Sequence, residues 1–343
     1  MTRTSSPDPA LIGGAFGLEP PGTGGLADLW RIEPHLAWEN ATSALAALVA
    51  QRAPGAVWMP GYLCAHMAAA VPAGRRRFFP LTADLAPDTA ALAALAPGDL
   101  VLAVNYFGRA PGATWRAFVA ANPQVIFVED CAQSLDPAAP PWGDWRLYSP
   151  RKLMGVPEGG LLVPVSDRAG VLSGPRLPHD PAGATRRRLP MALRAAEPAN
   201  NALWHPLFQA AENAGTVSDR AMDPAALAAL AGVDPAPMIA ARRANFARLY
   251  GRLATHALPG DPGDGFAPFG FPVLVPSARR EAVLGRLHGA GIFAAVHWRA
   301  LAAPAGMTAE HALAARLITL PCDHRYGPAA MDRVAATFQE ALA

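Results

Sequence analysis

The chain has 343 residues, 52% of them hydrophobic and 16% charged, and a formal net charge of +2. That length and balance describe a compact protein able to bury a large core, not a disordered one. The near-neutral charge gives no footprint for nucleic acid or an anionic membrane, and the Arg75–Arg77 and Arg186–Arg188 runs read as solvated surface.

No uninterrupted apolar run reaches the roughly 18 residues of a membrane span, and the N-terminal residues lack the apolar core of a signal peptide, so a cytoplasmic protein is expected. Cys64, Cys131 and Cys322 are widely spaced and odd in number, which suggests neither a zinc site nor a disulfide framework.

In chain order, "ENATSALAALVAQRA" reads as a loop entering a helix, with Asn40, Thr42 or Ser43 available as its cap. "AVWMP" has the length of a buried strand, and "CAHMAAAVPAG" reads as the helix after it. "DLVLAVNYFG" and "QVIFVED" are apolar runs that stop at polar residues, with "WRAFVAANP" as a helix between them and "GGLLVPV" as a further strand. This alternation predicts an α/β layered domain with a largely parallel sheet. Residues 172–215, rich in Pro and Arg without clear periodicity, read as irregular surface with short helices.

A long helix over "PAPMIAARRANFARLYGRLATHAL" is expected to bridge to a smaller C-terminal α+β unit containing "GFPVLVP", "SARREAVLGRLHGAGI" and "AMDRVAATFQEALA". The predicted division is a large domain over residues 1–235 and a bridging helix with a small domain over 236–343.

Lys152 is the only lysine among 29 basic side chains. A partly buried lysine can lose its proton and act as an amine nucleophile, whereas arginine stays protonated. In open α/β sheets ligands gather outside the carboxyl ends of the strands, where "QVIFVED" places Glu129 and Asp130. Thr42 and Ser43 stand at a helix start, where phosphate is stabilised. Lys152 follows Ser149 and precedes "PEGG", whose glycines permit close backbone approach. An amine, a carboxylate and a phosphate cradle match the needs of pyridoxal 5′-phosphate (PLP). Each residue has a plainer alternative: a surface lysine, an Asp130 helix cap, an N-cap at Thr42 or Ser43.

The order "NATSAL … VWMPGYLC … VNYFG … VEDCAQS … YSPRKLMGVPEGG … RRANFARLYGRL … GFPV … GI" resembles the DegT/DnrJ/EryC1/StrS family of fold-type-I PLP-dependent aminotransferases. The resemblance is closest over residues 37–164 and looser beyond. It implies a PLP transferase fold, a homodimer, a small-molecule amino donor and a keto acceptor, in some members a sugar. It makes Lys152 the Schiff-base lysine and Asp130 the partner of the pyridine nitrogen. Gln133 lies beside the ring's phenolic oxygen, and Thr42, Ser43 and Ser149 hold the phosphate. The ring face falls to Tyr62, Cys64 or His66.

The departures from that pattern are Ala41 before the Thr-Ser pair, Asn105 in place of a histidine, and a serine nearer the lysine than usual. The family's Gly-x-Asn-x-Arg segment, which reaches the partner's site, has no counterpart; "GTVSDRAMDPAAL" stands in roughly that place. A non-catalytic protein on this fold, or another PLP reaction, are the competing readings. A nicotinamide enzyme is disfavoured, since no Gly-x-Gly-x-x-Gly follows a strand. His297, Arg299, His324 and Arg325 could serve a substrate anion or an interface, and Glu158 the site or a turn.

Overall fold

The computed structural model describes residues 10–19, 36–259 and 266–343. Its strands are β1 (Ile12–Gly13), β2 (Ala37–Trp38), β3 (Val57–Pro60), β4 (Arg76–Phe79), β5 (Leu100–Val104), β6 (Ile126–Asp130), β7 (Trp145–Tyr148), β8 (Gly160–Pro164), β9 (Phe271–Leu274), β10 (Ile292–Phe293) and β11 (Leu317–Leu320). Seven of them form one sheet in the order β2-β8-β7-β6-β5-β3-β4. β4, β3, β5, β6 and β7 run parallel; β8 is antiparallel to both β7 and β2. The parallel strands and β2 therefore all end on the same edge of the sheet.

The near-continuous apolar strands follow from burial on both faces. On β5, Leu100, Leu102 and Val104 point to the core shared with Leu45 and Leu48 of the helix Ala41–Arg52. Val101 and Ala103 point the other way, to Trp115 and Val119 of the helix Ala113–Ala121. The two-residue period of a strand sorts one run of side chains into two cores.

A further core joins Phe246, Leu249 and Leu253 of the helix Pro235–Leu253 to Phe271 on β9, Ile318 on β11 and Phe338 of the helix Pro328–Leu342. β9 and β11 pair antiparallel, and β10 pairs with β1, so the start of the described chain packs into this C-terminal core.

Three local readings need correction. The stretch expected to be irregular forms two helices, Pro181–Ala196 and Asn201–Asn213, packed on each other. Asp180 accepts the Ala182 N–H, and Pro181 occupies the first turn, where its missing N–H is harmless. Arg194 lies 4.4 Å over the Trp204 ring and ties the pair together. "CAHMAAAVPAG" is α-helical only over Ala65–Ala68, since Pro72 disfavours a helical Val71. Arg76 and Arg77 are not merely surface but begin the edge strand β4.

Arg242, fully buried on the helix Pro235–Leu253, joins the two parts of the chain. It donates to the carbonyls of Pro268 and Phe269 at 2.9 and 3.2 Å and of Leu153, next to Lys152, at 2.6 Å. Arg242→Ala would empty that volume and strand buried acceptors, and is expected to lower unfolding free energy by about 3–5 kcal/mol in urea titrations. A loss below about 1 kcal/mol would contradict this role.

No single helix among the described residues is long and apolar enough to cross a membrane. Among the same residues, no group of three or more His, Cys, Asp or Glu side chains could hold a metal ion.

Candidate active site

The carboxyl edge of the sheet gathers the sequence candidates. Asp130 is the last residue of β6, and its register partners are Val104 and Leu147. β7 ends one residue before Ser149, and a single 3-10 turn, Pro150–Lys152, carries the lysine. The Ser149 carbonyl accepts the Lys152 N–H at 3.1 Å. β2 leads on this same edge to Asn40 and the helix bearing Thr42 and Ser43.

Asp130 is buried, and its Oδ1 accepts the Ala132 N–H at 2.8 Å. Burial pushes its carboxyl above the ordinary range, opposed by the charge of Lys152 and by that N–H. Its neighbour Glu129 points to the other face of the sheet, where it pairs with Arg146 at 3.1 Å and accepts from Asn105 at 2.8 Å. Alternation along β6 thus separates a structural acid from the one facing Lys152.

Gln133 is buried, and its Oε1 accepts the Phe107 N–H at 2.8 Å. That bond holds Phe107 in a left-handed conformation with φ of 55°. Gln133 and Lys152 both line a cleft of about 250 Å³ whose walls include Phe16, Phe208, Phe269 and Trp298.

At the helix start, Asn40 Oδ1 caps the Ser43 N–H at 2.8 Å, and the Ser43 hydroxyl accepts the Ser218 N–H at 3.0 Å. Ser43 keeps its own hydroxyl proton to donate. Thr42 is partly buried and Ser149 buried, with no capping bond from the Ser149 side chain.

The glycines after the lysine allow close packing: a Cβ on Gly160 would lie 2.1 Å from the Asn40 carbonyl carbon. They bring the lysine loop against the helix start. The segment Gly215–Leu227 also closes on its own chain, with the Thr216 carbonyl accepting from Asn40 Nδ2 at 3.2 Å.

Tyr62 is fully buried, with its ring centroid 5.3 Å from Trp298 and 5.7 Å from Tyr106, and its hydroxyl finds no hydrogen-bond partner among the described residues. Cys64 caps the short helix Ala65–Ala68, its Sγ accepting the Met67 N–H at 3.3 Å, and His66 lies exposed within that helix. Neither Tyr62 nor Cys64 lines the cleft beside Lys152.

Of the C-terminal candidates, only His297 and Arg325 border cavities that Lys152 also lines. Arg299 pairs with Glu281 at 2.6 Å, and His324 with Glu19 at 2.9 Å. Glu158 is buried away from the cleft, bound to Arg187 at 2.7 Å and to the Asp223 N–H at 2.7 Å, which makes it a structural turn residue. The aromatic walls Phe16, Phe208 and Phe269 carry no local signal in the sequence, because distant segments bring them together.

His297 Nδ1 lies 2.9 Å from the Thr319 hydroxyl, and burial together with the charge of Lys152 pulls its pKa down to about 3. Unfolded histidine titrates near 6.5. The unfolded chain therefore gains a proton that the fold refuses as pH falls below that value. Stability from this group is complete above about 6.5 and declines toward 3, by up to about 1.4 kcal/mol per pH unit. The fall in Tm between pH 7 and pH 4 is expected to be smaller in His297→Gln than in the wild type. Equal falls would contradict a neutral buried imidazole.

Neither a family model nor a curated protein sequence matches the chain. Solved structures do. The aminotransferase TlmJ from Streptoalloteichus hindustanus shares 18% identity, covering 96% of this chain and 92% of its own, with a TM-score of 0.63. A DegT DnrJ EryC1 StrS aminotransferase from Brucella abortus shares 16% over 90% of this chain and 85% of its own, with a TM-score of 0.62. DesV from S. venezuelae, solved with a ketimine intermediate, shares 17% over 95% of this chain and 90% of its own, with a TM-score of 0.63. At such identities the likeness is one of fold: the chain has the fold-type-I architecture of these aminotransferases.

Proposed function

We propose that the chain is a PLP-dependent aminotransferase that moves an amino group from a small-molecule donor to a keto acceptor. The observation that carries this reading is the placement of its only lysine, on the wall of a cleft and in electrostatic reach of a buried aspartate at the end of β6. The fold shared with solved aminotransferases supports it.

The residues present fit the cofactor. An amine, a buried carboxyl and a carboxamide whose oxygen alone is engaged by the Phe107 N–H among the described residues supply the donor set the ring requires. Lys152 would hold the cofactor covalently, and Asp130 would keep the ring nitrogen protonated. The Gln133 amide would donate beside the phenolic oxygen. Thr42, Ser43 and Ser149, with the helix start, would hold the phosphate. Tyr62 and Cys64, also expected at the ring, do not line this cleft.

When bound, the cofactor supplies an electron sink for the substrate carbon. The chain's part is then to orient the substrate and to move a proton at Lys152 Nζ, a step that needs a neutral amine. His297, held neutral, would leave that amine the cleft's proton carrier.

The same reading divides the chain near residue 235 and makes it a cytoplasmic homodimer. Leu189, Leu203 and Leu207 on the helical pair Pro181–Asn213 are exposed apolar side chains that a second copy would cover.

The test is amino-group exchange: protein loaded with PLP is incubated with each common L-amino acid, and the released cofactor is analysed by mass. Conversion to pyridoxamine phosphate by at least one donor is expected. Retention of PLP with no conversion by any donor would favour a non-catalytic protein.

A further inference from the structure

A transaminase cleft must take two substrates in turn, and an amino-acid donor carries its carboxylate on the same carbon that bears the amino group. The group that binds this carboxylate must therefore sit beside the lysine that acts on that carbon. The cleft next to Lys152 mixes Phe and Trp walls with a few polar side chains, and a carboxylate calls for a cation among them. Among the described residues, Arg325 and Arg151 border cavities that Lys152 lines, and they are held very differently.

Arg325 is committed. Its Nε and Nη2 donate to Asp323 at 2.7 and 2.9 Å, its Nη1 to the Ala15 carbonyl at 2.8 Å, and its guanidinium lies 4.1 Å over the Phe16 ring. Asp323 is itself buried, and Arg325 holds its carboxyl well below the usual range.

Arg151 directly precedes Lys152, with Cα atoms about 3.8 Å apart as in any trans peptide. Its Nη1 donates to Glu212 Oε1 at 2.6 Å. Glu212 lies at the end of the helix Asn201–Asn213 and lines the same cleft. The two side chains are 27% and 38% exposed, so water and salt weaken the pair and its separation is easy. A guanidinium binds a carboxylate through two parallel N–H donors, and Glu212 uses one.

We propose that Arg151 binds the α-carboxylate of the amino donor, and that Glu212 is an internal carboxylate occupying the same guanidinium between substrates. A carboxylate ligand displaces Glu212, while an acceptor without a carboxylate leaves the ion pair closed. The guanidinium is thereby neutralised by Glu212 whenever no substrate carboxylate is bound. The inference rests on the aminotransferase reading, whose substrate recognition it specifies.

The experiment uses PLP-loaded wild type, Arg151→Gln, Arg151→Lys and Glu212→Gln, with loading checked by cofactor absorbance. Glutarate serves as a non-reacting carboxylate in calorimetric titrations, and L-glutamate as the donor in kinetics. The expected results are a loss of at least tenfold in glutarate affinity and a matching rise in L-glutamate KM in Arg151→Gln, with partial recovery in Arg151→Lys. Glu212→Gln, lacking the competing charge, should bind glutarate severalfold more tightly.

With absorbance intact, absence of glutarate binding by the wild type, or equal binding by Arg151→Gln, overturns the carboxylate site alone. Weaker binding by Glu212→Gln overturns the exchange. Failure of all four proteins to take up PLP overturns the aminotransferase reading and this inference with it.

Discussion

Lys152→Ala is expected to lower single-turnover amino-group exchange by at least about 10³-fold, since it removes both the covalent anchor and the proton carrier. Lys152→Arg should be equally inactive, because a guanidinium stays protonated at any pH the protein survives and can neither attack a carbonyl nor relay a proton. The pair of variants separates chemistry from charge. Both keep the 3-10 turn Pro150–Lys152 and the Ser149 carbonyl bond, which are backbone features, so the cofactor-free proteins should fold. Exchange within tenfold of wild type in either variant would remove Lys152 from the mechanism.

Asp130→Asn is expected to reduce exchange by about 10²–10³-fold, the scale of losing one preorganised electrostatic contact to a charge in the reacting system. Asparagine preserves the shape and can still accept the Ala132 N–H, but it cannot hold a ring nitrogen in its protonated form. The native carboxyl is buried and pushed above its ordinary range, opposed by Lys152, so a further cation at the site would favour its ionised form. Uptake of PLP should therefore weaken in Asp130→Asn while the Tm of the cofactor-free protein changes by no more than about 4 °C. Unchanged cofactor affinity and exchange would make Asp130 a helix cap and no more.

The parts of the molecule legible in the sequence are those where local pattern and global position agree. β5 and β6 show as apolar runs because the sheet is covered on both faces, and the polar residues that stop them mark the edge where ligands gather. Lys152 stood out as a lone residue type and Asp130 by its place at a strand end.

What stayed hidden depends on distant segments. The helices Pro181–Ala196 and Asn201–Asn213 contain Pro190 and Pro206, which break the local signal, and they are stabilised by packing on each other. Phe16, Phe208 and Phe269 become cleft walls only when three remote stretches meet. The turn glycines were visible, but their neighbours were not: Gly160 meets the Asn40 backbone and Gly159 the Met222 side chain. What Glu129 does was not legible: strand alternation sends it to Arg146, while Asp130 lies toward Lys152.

The most direct test of the central claim is an absorbance spectrum of the purified protein with added PLP, followed by borohydride reduction and peptide mass mapping. A shifted cofactor band and one pyridoxyl adduct, on the peptide containing Lys152, are expected. A folded protein showing neither band nor adduct would contradict that claim, leaving an aminotransferase fold without the chemistry.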